Sequence, residues 1–247
     1  MLLELDHLQK DFGNNRVLED ITFSVNEGEF VIVLGASGAG KSTLLRCING
    51  LCRPTEGRIM IDNMEVCKHN LSEIRKRVAF IFQNINVVGS LTVLQNVLVG
   101  RLNQKAWWNV FFTDEDREMA LKAIERVGLK EKVHTRVDCL SGGQRQRVGI
   151  ARSLVQNPSI ILADEPISSL DPVSGREIMG LLSEINQEFG TIILCNLHQI
   201  EYVKHYGNRV LGIRSGRVAV DRPINKVDTS DLVDIYGSEF TSLEENA

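Results

Sequence analysis

The segment Gly35 to Thr43, GASGAGKST, places the strongest constraint on what this chain can fold into. It follows directly on FVIVL (Phe30 to Leu34), an uninterrupted apolar run typical of a central parallel strand. Apolar residues at helical spacing come after it: Leu44, Leu45, Ile48 and Leu51. Glycines let a loop fold into a nest of inward N–H groups, and a following helix adds the positive end of its dipole. The pattern predicts a strand, a loop that binds phosphates, and a helix.

The sequence of this loop predicts which groups bind a nucleotide. It matches G-x-x-x-x-G-K-[ST], whose lysine, here Lys41, reaches the β- and γ-phosphates and whose hydroxyl, here Ser42, coordinates Mg²⁺. The glycine order differs from G-x-G-x-x-G, which argues against a dinucleotide-binding fold. The alternative is a glycine-rich turn without a ligand, and the flanking strand and helix argue against it. We expect ATP and Mg²⁺ as cofactors, bound by Gly35, Ala36, Ser37, Gly38, Ala39, Gly40, Lys41, Ser42 and Thr43.

Strands and helices alternate along the rest of the chain. Two further apolar runs, SIILA (159–163) and TIILC (191–195), flank a predicted helix that Asp171 can cap. Near the end, Ser215 and Gly216 form the turn of a predicted hairpin. This order predicts an α/β fold: a P-loop NTPase core with a mainly parallel sheet, an N-terminal antiparallel β region and an inserted α-helical subdomain.

The predicted helical insertion divides the chain. Within it, Thr113 opens a helix that Gly128 closes. The single domain then has three parts: a nucleotide-binding core of residues 1–88 and 156–222, a helical subdomain of residues 89–155, and a short C-terminal tail of residues 223–247. The end of that tail, GSEFTSLEENA, is expected to be loosely ordered.

Two acidic residues, Asp164 and Glu165, follow the run SIILA at the carboxyl end of a predicted parallel strand. Open α/β sheets place their ligands at this edge. Asp164 would hold the Mg²⁺, directly or through water, and Glu165 would orient or deprotonate the attacking water. The alternative is that both acids cap the next helix. In combination with the phosphate loop, the pair predicts ATP hydrolysis with Glu165 as the base.

The stretch LSGGQRQR (Leu140 to Arg147) contains two consecutive glycines. Ser141 and Gln144 fit a capping box that opens a helix. Gly142 and Gly143, however, destabilise a first turn by about 1 kcal/mol each and are useful where a backbone must approach another group closely. We interpret the stretch as a second anion-binding nest that serves the nucleotide of another copy. It predicts head-to-tail dimerisation around two ATP molecules.

The overall composition argues against several other classes of protein. The formal net charge of −4 disfavours nucleic acid as a partner. No apolar run approaches the roughly 20 residues that span a bilayer, and the start MLLELDHLQK lacks the features of a targeting peptide. The five cysteines are scattered and never spaced as C-x-x-C, so neither a disulfide framework nor a zinc site is predicted. A reducing cytoplasm is the expected location.

Over nearly its whole length the chain resembles the ATPase subunit of ATP-binding cassette (ABC) transporters. The phosphate loop, the signature Leu140 to Gln144 and the Asp164–Glu165 pair match the family's motifs in the family's order. The resemblance implies four further site residues. Phe12 would be the aromatic residue that stacks on adenine, and His198 the histidine that contacts the γ-phosphate. Gln83, which ends the strand VAFIFQ, would be a catalytic and metal-site glutamine, and Asp171 would belong to the segment Ser168 to Asp171 that crosses the dimer interface.

Within that family, several details are similar to the ATPase subunits of phosphonate importers: ILADEPISSLDP, the NLHQ around His198, SLTVLQNVLVGRL, and a long segment with WWNVFF. The resemblance implies uptake of phosphonates or relatives such as phosphite or phosphate esters. It also implies two copies of the chain, transmembrane permease subunits, and indirectly a periplasmic or lipid-anchored binding protein. The implied location is peripheral, at the cytoplasmic face of the inner (plasma) membrane.

Two questions stay open. The aromatic residues of WWNVFF either pack inside the helical subdomain or partly line the groove that receives a permease helix: Trp107, Trp108, Phe111 and Phe112. The alternative functions are an importer subunit for another small solute and a non-transport ABC ATPase. A DNA-repair ATPase of this superfamily is disfavoured, because Lys41 and Ser141 are 100 positions apart and leave no room for a long coiled coil.

Overall fold

The structure, a computed structural model, describes residues 2–105 and 111–237. Ten strands lie in these residues: β1 (Leu3–Phe12), β2 (Asn15–Val25), β3 (Phe30–Leu34), β4 (Glu56–Ile61), β5 (Met64–Glu65), β6 (Val78–Ile81), β7 (Ile160–Asp164), β8 (Ile192–Asn196), β9 (Arg209–Arg214) and β10 (Arg217–Pro223). They form one sheet in the order β5-β4-β1-β2-β10-β9-β3-β8-β7-β6.

Eight α-helices lie in the same residues: α1 (Lys41–Ile48), α2 (Leu71–Arg77), α3 (Val93–Val99), α4 (Asp114–Arg126), α5 (Gly142–Leu154), α6 (Pro172–Phe189), α7 (Ile200–Tyr206) and α8 (Thr229–Tyr236). Short 3₁₀ turns cover Gly100–Gln104, Lys130–Lys132, Val137–Cys139 and Ile224–Lys226. Among the described residues, no helix is long and apolar enough to span a bilayer.

The middle of the sheet is parallel, as the sequence predicts. Strands β9, β3, β8, β7 and β6 run in one direction. All five residues of β3 are buried, because Phe30, Ile32 and Leu34 pack into the core on one face of the sheet and Val31 and Val33 into the core on the other. Burial on both faces explains why these strands read as continuous apolar runs.

The remaining strands are mainly antiparallel. Strand β1 pairs with β2 and β4, and β4 pairs with β5, which confirms the predicted N-terminal antiparallel region. Strands β9 and β10 form the predicted hairpin. Its turn residues Ser215 and Gly216 both have positive φ, 49° and 73°, as a tight hairpin turn requires.

Helices α3, α4 and α5 pack against one another in the part of the chain predicted to be helical. Each begins with a capping box, which consists of two hydrogen bonds between the residue before the helix and the third residue of the helix. The side chain of each of these two residues accepts from the backbone N–H of the other. Helix α4 starts after Thr113 as predicted, and Gly128 follows it with φ of 71°. The division of the chain into core, helical subdomain and tail remains a prediction.

Several details differ from the sequence-based expectations. Helix α1 ends at Ile48, so Leu51 lies beyond it and is 49% exposed. Strand β6 ends at Ile81, and Gln83 lies two residues past it. Phe189 has the helical spacing of the apolar residues of α6 but is 57% exposed, and its ring centroid lies 5.4 Å from the guanidinium carbon of Arg126.

The C-terminal tail is predicted above to be short and loosely ordered at its end. Its described part contains α8, whose Ile235 and Tyr236 are buried. The last ten residues, 238–247, lie outside the described residues, as do Trp107 and Trp108. Phe112 packs partly against the core, which favours the packing interpretation for that residue, whereas Phe111 is 81% exposed.

Candidate functional site

The predicted site residues gather at one edge of the parallel sheet. Strand β3 ends in the phosphate loop, β7 ends at Asp164, and β8 leads into His198. Gln83 follows β6 at the same edge. Because parallel strands point the same way, four separate stretches of sequence deliver their side chains to one place, the edge where open α/β sheets bind ligands.

The phosphate loop needs glycine at two positions for steric reasons. Gly35 has φ of 155°, and a Cβ there would lie 2.3 Å from the carbonyl oxygen of Ile213. Gly40 has φ of 103°, and a Cβ there would lie 2.7 Å from Cδ2 of Leu18. The loop is therefore pressed against β9 and β2 from behind, which fixes its backbone on the side away from the ligand.

The positive groups of the loop are in place for an anion. Lys41 is 5% exposed, and its Nζ donates to the carbonyl oxygens of Gly35 (2.6 Å) and Ala36 (2.9 Å). Gly40, the residue before helix α1, has no side chain that caps the helix start. Such a helix start attracts phosphate through both its N–H groups and its dipole.

Ser42 and Asp164, two of the three predicted metal-site residues, are in direct contact. The Ser42 hydroxyl donates to Oδ1 of Asp164 at 2.7 Å, and Asp164 is 2% exposed. The guanidinium of Arg46 lies 4.0 Å from Oδ2 of the same carboxylate. In the described part of the chain, no group of three or more His, Cys, Asp or Glu side chains is arranged to hold a metal ion. One hydroxyl and one carboxylate nevertheless fit Mg²⁺, which takes hard oxygen ligands and relies on phosphates and water for the rest.

Glu165 is held on both sides. Its Oε1 lies 2.7 Å from Nε2 of His198, and its Oε2 accepts a hydrogen bond from Nε2 of Gln83 at 2.8 Å. Its side chain is 15% exposed, against 45% for His198. The backbone of Glu165 has φ of 49°, a region that residues other than glycine rarely occupy and that is often found at functional sites.

The alternative that Asp164 and Glu165 cap the next helix is wrong. Helix α6 is capped by Asp171, whose carboxylate accepts from the N–H groups of Val173 and Ser174, both at 3.0 Å. Hydrogen bonds from Ser174 hold the pKa of Asp171 below its usual range. Asp171 therefore has a structural role within this chain, and the interface role that the family resemblance implies for it remains a prediction.

The signature residues begin α5 with the predicted capping box. Gln144 N–H donates to the Ser141 hydroxyl at 3.3 Å, and the Gln144 side chain accepts from Ser141 N–H at 3.1 Å. A Cβ on Gly143 would lie 3.0 Å from Oγ of Ser174, which is a reason within the chain for that glycine. A Cβ on Gly142 would make an ordinary contact of 3.5 Å with Leu170, so packing within the chain leaves Gly142 unexplained.

The structure thus brings Ser42 into contact with Asp164, and Gln83 and His198 into contact with Glu165, the next residue in the sequence. The amide of Gln83 lies on Glu165 rather than on the Ser42–Asp164 pair. Phe12 ends β1, is 53% exposed, and has the Nζ of Lys10 4.8 Å from its ring centroid.

Sequence reasoning missed Asn196 and Arg46, which both approach Asp164. Asn196 donates from Nδ2 to Oδ1 of Asp164 at 2.9 Å and is fully buried. A polar residue that closes the apolar run IILC, opposite a predicted metal ligand, was the signal that could have found it.

Comparison with known proteins gives consistent matches over the chain. A family model described as ABC transporter matches residues 18–168. "Phosphonates import ATP-binding protein PhnC" from Lactobacillus johnsonii is 44% identical over 254 aligned positions, covering 100% of this chain and 100% of that protein. The protein of the same name from Thiobacillus denitrificans is 47% identical over 241 positions, covering 96% and 93% of the two chains.

Solved structures match the whole fold. The structure of cbiO1 from Clostridium perfringens, part of the ABC transporter complex cbiONQ, gives a TM-score of 0.83 at 29% identity and covers 99% of this chain and 98% of that one. A bacterial ABC transporter cassette solved as a dimer gives 0.80 at 34% identity and covers 90% and 99%. These matches confirm the predicted P-loop NTPase fold.

Proposed function

This chain belongs to the ABC transporter family, and we propose that it is the ATP-hydrolysing subunit of an importer for phosphonates or closely related phosphorus compounds, such as phosphite or phosphate esters. The position of Glu165 carries the ATPase part of the proposal: a carboxylate held by Gln83 and His198, next in sequence to the Asp164 that bonds Ser42. The names of the full-length relatives support the choice of cargo.

ATP binds with its phosphates on the loop Gly35 to Thr43 and its adenine on the exposed face of Phe12. Lys41 exchanges the carbonyl oxygens of Gly35 and Ala36 for the β- and γ-phosphates, because a charged phosphate is the stronger acceptor. Ser42 and Asp164 hold the Mg²⁺, with Gln83 nearby. When bound, this ion neutralises charge on the phosphate oxygens.

Hydrolysis needs a water in line with the γ-phosphate. Glu165 orients that water and accepts its proton, while Gln83 and His198 keep both carboxylate oxygens in place. In this proposal His198, which is more exposed than Glu165, also contacts the γ-phosphate.

A second copy completes the site. The backbone of Ser141, Gly142, Gly143 and Gln144 supplies a helix start to the nucleotide of the partner copy, and Asp171 lies in the segment between the two sites. Dimeric structures of related cassettes support this arrangement. Closure of the pair around two ATP molecules then moves the attached permease, and release of phosphate reopens it.

The permease docks in a groove of about 440 Å³ between the sheet edge and the helical part of the chain. Its lining combines three exposed apolar side chains, Leu51, Val99 and Leu102, with polar ones that include two arginines. Phe80 and Phe82, whose ring centroids are 4.4 Å apart, connect it to Gln83. Such a surface fits an amphipathic segment of a membrane protein, whose apolar side chains would contact the three exposed ones. The chain then acts from the cytoplasmic face of the inner membrane, and an external binding protein delivers the cargo to the permease.

Growth and uptake measurements test which compound is transported. In the source strain without its own copy, the wild-type gene is expected to restore growth on a phosphonate as the sole phosphorus source, and Lys41→Ala is expected not to. Lys122→Ala, a change of an exposed lysine paired with Glu118, is the matched control. Uptake measured with phosphonate, phosphite and a phosphate ester ranks the three classes. Restored uptake of an unrelated solute instead would refute the cargo and leave the ATPase proposal standing.

A further inference from the structure

Asn196 is built into the acidic end of the site by a direct contact. It ends β8 as the strand partner of Asp164, which ends β7. Its Nδ2 donates to Oδ1 of Asp164 at 2.9 Å, and the Ser42 hydroxyl donates to the same oxygen at 2.7 Å. One carboxylate oxygen therefore receives two hydrogen bonds, one from the phosphate loop and one from the sheet.

The energetics indicate that this contact matters to the protein. Asn196 is 0% exposed, and its Oδ1 makes no hydrogen bond in the described part of the chain. A buried polar atom without a partner costs about 1–3 kcal/mol. A leucine at this position would avoid that cost but could not donate a hydrogen bond. The hydrogen bond that Nδ2 donates to Asp164 is therefore what the asparagine contributes here. The opposite orientation of the amide would set its oxygen against the carboxylate, so Asp164 fixes the orientation observed.

The main chain of Asn196 holds the neighbouring acid as well. Its carbonyl oxygen accepts from the N–H of Glu165 at 3.1 Å. Glu165 is the residue whose backbone has φ of 49°. The end of β8 thus fixes the side chain of Asp164 and the backbone of Glu165, the next residue in the sequence.

We propose that Asn196 is a positioning residue that holds the Asp164 carboxylate in the orientation in which it serves the metal ion. This inference rests on the proposed ATP·Mg²⁺ site. The Ser42 hydroxyl has one proton and two lone pairs, so it can donate to Asp164 and offer a lone pair to the metal ion at the same time, but it belongs to the phosphate loop. Asn196 donates to the same oxygen from the neighbouring strand, so it keeps Asp164 oriented independently of that loop.

The test separates nucleotide binding from its dependence on the metal ion. Affinity of the full chain for the β,γ-imido analogue of ATP is measured by calorimetry, once with Mg²⁺ and once with EDTA. For Asn196→Leu, which keeps the size of the side chain and removes the donor, we expect unchanged affinity in EDTA. We expect the gain that Mg²⁺ gives to the wild type to fall by about tenfold.

Two further variants keep the test decisive. Asn196→Asp keeps the shape and puts a second oxygen against Asp164, so its loss of the Mg²⁺-dependent gain is expected to exceed that of Asn196→Leu. Leu194→Val, on the same strand and also fully buried, is the control for a general weakening of β8. It is expected to lower the melting temperature and leave the Mg²⁺-dependent gain intact.

The outcomes are distinct. A full Mg²⁺-dependent gain in both Asn196 variants would overturn the proposal. Equal losses with and without Mg²⁺, together with a lower melting temperature, would assign Asn196 a structural role and overturn it too. A wild-type chain that binds no nucleotide would refute the proposed ATP site itself, and the wild-type titration shows this before any variant is compared.

Discussion

Oε1 of Glu165 lies 2.7 Å from Nε2 of His198, so the proposed base and the histidine that follows β8 are in direct contact. Gln83 holds the other carboxylate oxygen at 2.8 Å. A base fixed on both sides loses little freedom when it aligns a water molecule, which is the form of preorganisation that favours general-base catalysis.

Replacing that base should separate binding from hydrolysis. Glu165→Gln keeps the size of the side chain and its contact with Gln83 but removes the proton acceptor. We expect ATP hydrolysis to fall by about 10² to 10⁴-fold, with nucleotide affinity retained. Phosphate release measures the first and calorimetry the second.

The same variant should accumulate as a closed dimer, because ATP stays uncleaved between the copies. Light scattering after size-exclusion chromatography in ATP and Mg²⁺ measures the mass. Glu184→Gln, an exposed position on α6, is the control and should behave as the wild type does. Wild-type hydrolysis in Glu165→Gln, measured with the permease present, would remove Glu165 from the role of base.

Gly142 offers a direct test of the second copy. A Cβ at Gly142 meets Leu170 at an ordinary 3.5 Å, so Gly142→Ala fits within one chain and should raise stability by up to about 1 kcal/mol through helix propensity. In the proposed dimer the same methyl group would lie where the partner's nucleotide must approach. We therefore expect hydrolysis to fall at least about tenfold while the melting temperature holds or rises.

Gly149→Ala, in the middle of the same helix, is the matched control. A Cβ there meets nothing within 4 Å. It should give the same gain in stability and leave hydrolysis unchanged. If Gly142→Ala hydrolyses ATP as fast as Gly149→Ala does, the signature stretch is a helix start and nothing more.

Much of this architecture could be predicted because its signals are local. The phosphate loop, the capping box at Ser141 and the Ser215–Gly216 turn each depend on residues a few positions apart. Burial on both faces also makes β3, β7 and β8 readable as apolar runs.

What the sequence could not predict depends on contacts between distant segments. The hydrogen bond from Asn196 to Asp164 joins positions 32 residues apart through strand pairing, and a polar residue at the end of an apolar run does not by itself reveal its partner. Leu51 has helical spacing but lies past the end of α1, where Gly50 has turned the chain with φ of 63°. The exposure of Phe189 depends likewise on what packs against that end of α6.

The proposed permease groove should respond to a charge. Leu102 lines it, is 39% exposed, and lies far along the chain from the phosphate loop. Leu102→Arg is expected to leave nucleotide affinity of the isolated chain unchanged and to lower co-purification with the permease at least about tenfold, since an arginine cannot enter an apolar contact without losing hydration. Leu121→Arg, at a leucine on α4 that is 43% exposed and outside the groove, is the control. Equal capture of the permease by both variants would move the docking site elsewhere.

Acid should weaken the helical part of the chain through Asp116. This residue is 3% exposed and accepts from Arg101 (2.9 Å) and Lys105 (2.6 Å). Burial by itself would raise the pKa of Asp116, but hydrogen bonds from Lys105, Thr113 and Arg101 outweigh it and hold the pKa well below its usual range. A carboxyl whose pKa is lower in the folded than in the unfolded chain, where it is about 3.9, stabilises the fold fully above that value.

That stabilisation is lost as the pH falls through the unfolded-state value toward the folded one. Asp116→Asn is expected to lower the free energy of unfolding by about 3 kcal/mol near neutral pH, because two largely buried cations lose their partner. Between about pH 5 and pH 3 the wild type should lose stability more steeply than the variant, so the two urea-unfolding curves converge in acid. Asp114→Asn, in the same first turn but exposed, should follow the wild type. A constant difference between wild type and Asp116→Asn across this pH range would mean that the carboxylate charge is not what stabilises α4.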